Sequence, residues 1–183
     1  MRQLNQLRFG VRVDQEGSLL VDYHIARRVK PSARASDDKE TSYCTWRHYL
    51  ADAVFLVGLE SGDAAFLERL AAAVQAPAFP LFLGRRSCPP TLPLCLGIRP
   101  AGLEEALRRE PALTPAWRKP QGSAIRFVLD ADPDEAGAAV RRDVALSFNP
   151  AHRQFGFRAV KETVDSQPRE AEEETRHDPF AEL

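Results

Sequence analysis

Apolar and polar positions alternate from Leu7 to Val13, with Leu7, Phe9, Val11 and Val13 on one side and Arg8 and Arg12 on the other. A period of two predicts a half-buried strand whose arginines face solvent. Asp14-Gln15-Glu16-Gly17 supplies turn chemistry and Ser18–His24 returns as a second strand, so the spacing predicts a hairpin. Residues 25–42 then lose apolar periodicity. They are basic at first (Arg27, Arg28, Lys30, Arg34) and mixed afterwards (Asp37, Asp38, Lys39, Glu40). The stretch is too long for an ordinary connection and reads as a protruding loop or an extended hairpin.

Tyr49–Glu60 is the most apolar segment and predicts a central strand. Asp63 is placed to cap a helix whose stripe is Phe66, Leu67, Leu70, Ala71 and Val74, and Pro77 stops that helix. From Ala78 to Pro93, prolines and apolar residues surround Gly84-Arg85-Arg86-Ser87, predicting an irregular but ordered segment. Leu94–Arg99 reads as a short strand. Leu103–Glu110 reads as a short helix, with Glu104/Arg108 and Glu105/Arg109 at the favourable i,i+4 spacing. Three β-like runs follow a proline-containing connection: Ala124–Leu129, Asp143–Phe148 and Gln154–Val164. Strands, a helix, then more strands predict an α+β fold rather than a doubly wound parallel sheet.

Composition sharpens this picture in three places. The 14 prolines among 183 residues, gathered in the middle, exclude a plain helix bundle. The three cysteines (Cys44, Cys88, Cys95) form no paired framework, which suits a reducing cytoplasm. No apolar run reaches the length of a membrane span. The net charge of −1 is a cancellation: residues 166–183 hold two basic and six acidic side chains, leaving 23 basic against 20 acidic before them. The body is thus +3 and the tail −4, and the tail reads as disordered and solvated.

Few constellations carry chemistry. Cys88 and Cys95 lie outside the usual zinc spacings, the four histidines share no helical pairing, and neither a nucleophile elbow nor a phosphate-binding loop motif is present. No metal or cofactor is therefore expected. The segment that stands out is Leu83-Gly84-Arg85-Arg86-Ser87-Cys88-Pro89-Pro90. Gly84 permits close backbone approach or positive φ. Arg85 and Arg86 offer planar donor forks suited to phosphate, Ser87 adds a hydroxyl, and flanking prolines reduce the freedom lost on binding. An anion site for a nucleic-acid backbone and an arginine pair on a solvated turn are the two readings. Residues 26–47 form a second cluster, with six basic side chains (Arg27, Arg28, Lys30, Arg34, Lys39, Arg47) against three acidic ones. Tyr23, Tyr43 and Trp46 are either faces for unpaired bases or core aromatics at the foot of a surface loop. Arg141, Arg142, Arg153, Arg158 and Lys161 are a third group, a phosphate-contacting face or the solvent side of a sheet.

Asp22-Tyr23-His24, the basic insertion, Trp46-Arg47-His48-Tyr49-Leu50-Ala51-Asp52-Ala53 and Leu83-Gly84-Arg85-Arg86-Ser87-Cys88-Pro89 occur in an order that resembles the CasD family, the fifth of the numbered Cas families. Its members hold the 5′ handle of crRNA in the type I-E CRISPR surveillance complex, Cascade. The resemblance runs from about Leu7 to Val164. It implies a partial ferredoxin-like (RRM-like) domain over residues 1–110, with an inserted thumb hairpin at about 25–45. A small, mostly antiparallel β region over 111–165 and the acidic tail over 166–183 would follow. It also implies a cytoplasmic protein without cofactor or membrane contact. Its partners would be the crRNA handle, the backbone subunit against which the thumb lies, and the large subunit, with target DNA met only through the complex. Carried over by position, Gly84, Arg85, Arg86 and Ser87 are the handle-binding residues, with Arg27, Arg28, Lys30, Lys39 and Arg47 as further RNA contacts. The family pattern opens with a strand and a helix before the Leu7–Val13 strand. Their absence implies a truncated or late-started product, or a second polypeptide that completes the sheet, with an exposed strand edge in the meantime.

Three functions fit the residues. One is a non-catalytic RNA-binding subunit. Another is a metal-independent endoribonuclease of the type I-C kind, with His24 as base and Lys30 or Lys39 as the cation that stabilises the phosphorane. The last is a non-functional remnant.

Overall fold

The computed structural model of the chain describes residues 3–30, 39–114 and 124–165. The acidic tail and the segment carrying Arg34, Asp37 and Asp38 lie outside the described residues. After a short 3-10 turn at Leu4–Gln6 come β1 (Arg8–Gln15), β2 (Ser18–Lys30), β3 (Lys39–Ala51) and β4 (Val54–Glu60). Helices α1 (Ala64–Gln75) and α2 (Leu103–Arg109) follow, then β5 (Ile125–Asp130), β6 (Ala138–Ser147) and β7 (Gln154–Asp165). All strand pairs are antiparallel. The class is α+β, as the order of elements predicts.

Strands β4-β1-β5-β7-β6 make one five-stranded sheet, and β2-β3 make a separate two-stranded one. The predicted β1–β2 hairpin does not form. Both edges of β1 are taken, by β4 through Arg8↔Glu60 to Val13↔Phe55 and by β5 through Gly10↔Leu129 to Val13↔Arg126. The chain therefore leaves the sheet at Glu16-Gly17 and builds β2 and β3 as a self-paired ribbon, from Ser18↔Ala51 to Lys30↔Lys39. It returns at Asp52, whose φ of 62° ends β3 and splits the continuous strand predicted over Tyr49–Glu60. Asp is among the few residues that tolerate this left-handed conformation. The second half, β4, is an edge strand and not the central one expected. The short strand predicted at Leu94–Arg99 is absent, in a segment bounded by Pro93 and Pro100 that has no regular structure.

Both predicted helices form. Asp63 Oδ1 accepts from Phe66 N at 3.0 Å and so caps α1. Helix α2 carries both predicted i,i+4 ion pairs and lies across the sheet. Leu103 and Leu107 reach Phe127, with Leu56, Ile125 and Leu129 around them. The approach is close because Gly10 and Gly58, cross-strand partners, lie beneath α2. A Cβ at Gly58 would stand 2.6 Å from Leu103 Cδ1, and one at Gly10 2.7 Å from Leu129 Cδ2.

The face of β1 that meets α2 is the one the alternation assigned to solvent. Arg12 is 0% exposed and is the largest fully buried side chain. All five of its N–H groups have an acceptor. Nε and one Nη2 hydrogen grip the two oxygens of Asp14, both Nη1 hydrogens go to the carbonyls of Leu107 and Glu110, and the last reaches Pro111 O at 2.8 Å. Asp14 Oδ2 also accepts from Leu113 N at 2.7 Å. The guanidinium thus satisfies orphan carbonyls at the C-terminus of α2, where the helix dipole favours a cation.

A second network joins the other end of the sheet. Arg158 on β7 is bidentate to Asp143 (2.7 and 2.8 Å), donates to Asp130 at 2.6 Å and lies 5.1 Å from the Phe9 ring centroid. Asp130 in turn accepts from Phe9 N. Hydrogen bonding from Arg158 holds the Asp143 carboxyl below its ordinary range.

Replacing Arg12 with Ala would remove the counter-charge of buried Asp14 and one donor from each of the Leu107, Glu110 and Pro111 carbonyls. Unfolding free energy in urea should fall by about 3–5 kcal/mol, and Arg12→Lys, which keeps the charge but not the fork, should recover only part. Asp143 is partly exposed, so Asp143→Asn should cost no more than about 1 kcal/mol at pH 7. Because its folded pKa is lowered, this contribution is present above the ordinary carboxylate pKa and disappears as pH falls through the folded value. Unfolding titrations of the two proteins should therefore converge in acid.

Candidate nucleic-acid interface

The Gly84–Ser87 segment is a closed turn. Leu83 N donates to Cys88 O at 2.8 Å and Cys88 N to Arg85 O at 2.9 Å. Gly84 turns the chain with φ of 79° and has nothing within 4 Å of where a Cβ would sit. Its requirement for glycine is thus conformational rather than steric.

The turn sits at the foot of the β2–β3 ribbon. Arg85 Nη1 donates to His48 O at 3.2 Å, and its guanidinium lies 4.9 Å from the Tyr49 ring centroid. A cation over an aromatic face is attracted by the ring quadrupole, so Arg85 is held in place while its remaining donors stay at the surface. Arg86 is exposed and has no hydrogen-bond or ion-pair partner among the described residues. Ser87 and Cys88 line a groove of about 500 Å³ with Leu20, Asp22 and Tyr49.

Strand alternation decides what joins them. Arg47 lies opposite Asp22 and two residues from Tyr49, so it occupies the next outward position on the groove face. Gly84, Arg85, Arg86, Ser87 and Arg47 therefore share one end of the ribbon. The other predicted contacts do not. Arg27 lies opposite Ser42, Arg28 opposite Thr41, and Lys30 opposite Lys39. Leu20, the partner of Tyr49, is seven residues from Arg27, about 23 Å along the strand. Likewise His24 and Lys30 lie six residues apart on β2, a backbone separation of about 20 Å. That spacing does not put the proposed base and cation on one phosphate.

The aromatic residues are surface groups. Trp46 is 63% exposed and packs edge-on to Tyr23, with ring centroids 5.8 Å apart. It is not a core aromatic. Tyr23 Oη lies 2.8 Å from Cys44 Sγ, and that hydrogen bond raises the phenol above its usual pKa. Tyr23 and Trp46 occupy the opposite face of the ribbon from Tyr49, beside exposed Leu19, Val21, Ile25 and Leu50. The aromatic residue at the groove is Tyr49, which sequence reasoning did not single out; its signal was its position two residues from Arg47. The third basic group divides: Arg158 is neutralised by Asp143 and Asp130, and Lys161 by Glu135 at 2.6 Å. Those two charges hold the sheet together and are not offered to a phosphate.

Among the described residues, no helix is long and apolar enough to cross a membrane.

Comparisons with known proteins bear on this geometry. The CRISPR system Cascade subunit CasD of Escherichia coli (strain K12) is 42% identical over 80 residues, which are 43% of this chain and 35% of that protein. The aligned part thus spans about a third of that relative's length. A solved structure titled CRISPR RNA-guided surveillance complex superposes with a TM-score of 0.65 at 29% identity, and one titled Crystal structure of Cas protein with 0.57 at 34%. Both matches cover 89% of this chain and 69% of the other. A family profile described as CRISPR-associated protein (Cas_Cas5) matches residues 2–161, and the chain belongs to that family.

Proposed function

We propose that the chain is a non-catalytic RNA-binding subunit of a type I-E CRISPR Cascade complex, working in the cytoplasm in antiviral defence. It holds the 5′ handle of crRNA at the foot of the β2–β3 ribbon and caps the backbone filament. The observation that carries this reading is the arginine pair: Arg85 is fixed over Tyr49 while Arg86, its neighbour, has no protein partner among the described residues. A held fork beside an unengaged one, on a turn with exposed hydroxyl and backbone groups, suits a phosphate chain. Tyr49 and Arg47 extend the surface along the groove.

The ribbon acts as the thumb. Its far face, with Leu19, Val21, Tyr23 and Trp46, lies against the neighbouring backbone subunit, and the large subunit and target DNA are met through the assembled complex. Strands β1 and β4 with α1 represent the ferredoxin-like part of the fold, and β5–β7 the C-terminal β region. The names of the relatives, a Cascade subunit and a surveillance complex, support the assignment.

The test is binding of repeat-derived RNA across a salt series, with co-purification of the other Cascade subunits. Each phosphate contact to a single strand contributes about −0.7 to the slope of log K against log salt, so Arg85→Ala with Arg86→Ala should flatten it by about 1.4. Affinity near physiological salt should fall at least about tenfold. Unchanged binding and assembly in the double variant would mean that the handle lies elsewhere. The same RNA incubated in EDTA should remain intact. Site-specific cleavage that disappears in His24→Ala would replace the scaffold reading with an endoribonuclease, and failure to co-purify would leave a remnant.

A further inference from the structure

Strand β6 is the last strand of the five-stranded sheet, and its ladder with β7 is interrupted. Arg141 lies opposite Arg158 and Val144 opposite Gly156, so Arg142 and Asp143 together face Phe157 alone. A bulge of this kind re-aims the side chains it carries. Asp143 turns to Arg158, which binds both of its oxygens. Arg142 turns to Phe157: its guanidinium lies 5.7 Å from the ring centroid, and its Nε donates to Phe155 O at 3.3 Å. The carboxylate next to Arg142 in sequence is thus taken by another arginine, and Arg142 has no ion pair among the described residues.

The surface around it is aromatic and basic. Phe155 and Phe157 alternate along one face of β7, with Val140 joining them opposite Ala159. Thr163 of the same face lies opposite Phe127, where α2 packs. Six residues further along β7 the helix gives no cover, and Phe157 is 69% exposed. Arg153, exposed and without an ion pair among the described residues, stands just before the strand. Residues 138–161 hold five basic side chains against one acidic. The bulge and the charged Arg141-Arg142-Asp143 run are devices that keep a sheet edge from accepting another strand. What the hairpin offers is its face, not its edge.

We propose that this face is a second RNA-binding surface, which stacks unpaired bases of a single strand on Phe157 and Phe155 and meets their phosphates with Arg142 and Arg153. Aromatic rings stack on any unpaired base, and cations beside them follow the backbone. A paired strand would not serve, because its bases are already stacked on one another. Arg142 repeats the device of Arg85, a guanidinium held against a ring by a bond to a main-chain carbonyl while its other donors stay outward. The two surfaces are separate. Val13, next to which the chain leaves for the ribbon, is level with Val164 through Arg126, and Phe157 is seven residues from Val164, about 23 Å along the strand. Only the choice of RNA over DNA rests on the function proposed above.

The probe is a fluorescent hexanucleotide of 5-bromouridine, titrated into the full chain carrying Arg85→Ala and Arg86→Ala so that the turn contributes nothing. It should bind, and irradiation should cross-link it to the segment Gln154–Arg158. Phe157→Leu should weaken binding about fivefold or more with an unchanged circular dichroism spectrum. Arg142→Gln should flatten the slope of log K against log salt by about 0.7. No binding, cross-links only elsewhere, or affinity indifferent to both changes would overturn the proposal, and tighter binding of the matching DNA hexamer would overturn the assignment to RNA. If Phe157→Leu instead detaches a Cascade subunit while RNA affinity holds, the face is a protein contact and the proposal fails. Loss of the handle site in the earlier salt series, with hexamer binding retained, would count against the proposed function and not against this surface.

Discussion

Arg12 brings a full positive charge into the space between β1 and the end of α2, where water is excluded. A lone ion there would cost several kcal/mol, and only complete pairing makes it tolerable. Asp14 supplies the counter-charge from the same strand, and Leu107, Glu110 and Pro111 supply carbonyls from the end of the helix. The arrangement fixes the position of α2 along the sheet. Leu103 and Leu107 then meet Phe127, and Gly10 and Gly58 leave just enough depth for them. The small core therefore depends on a polar clamp at one end as much as on apolar burial. The Arg158 network performs the corresponding task for β1, β5, β6 and β7.

The β2–β3 ribbon belongs to neither network. Among the described residues its strands pair only with each other, and its two faces differ in character. One carries Tyr49 and Arg47 beside the Gly84–Ser87 turn; the other carries Tyr23, Trp46 and their exposed aliphatic neighbours. A two-stranded ribbon has little stability of its own, so packing against its faces is a physical expectation. Arg85 is where the two parts of the molecule meet. By lying on Tyr49 and bonding to His48 O it ties the turn to the ribbon and orients the basic surface between them.

Much of this was legible in the residues. Asp63 capping α1, the i,i+4 pairs of α2 and the three C-terminal strands are local features, set by side chains within a few positions of one another. The Gly-Arg-Arg-Ser turn was also visible, because glycine beside paired arginines is unusual wherever it falls. The pairing of strands was not. A turn signal at Asp14–Gly17 cannot reveal that β4 and β5 will occupy both edges of β1, since those partners lie tens of residues away.

The sequence by itself determined most of the element types, the α+β class, the position of the basic turn and the family resemblance, all of which rest on local periodicity or contiguous strings. Only the tertiary structure decided which face of β1 is buried, because alternation separates two faces without saying which of them a helix will cover. It also decided which charges remain available. Arg158 and Lys161 resemble Arg86 as residues, yet the sheet brings carboxylates to the first two and, among the described residues, none to the third. Whether a basic side chain serves folding or binding is set by what stands opposite it in space, and that is a property of long-range pairing.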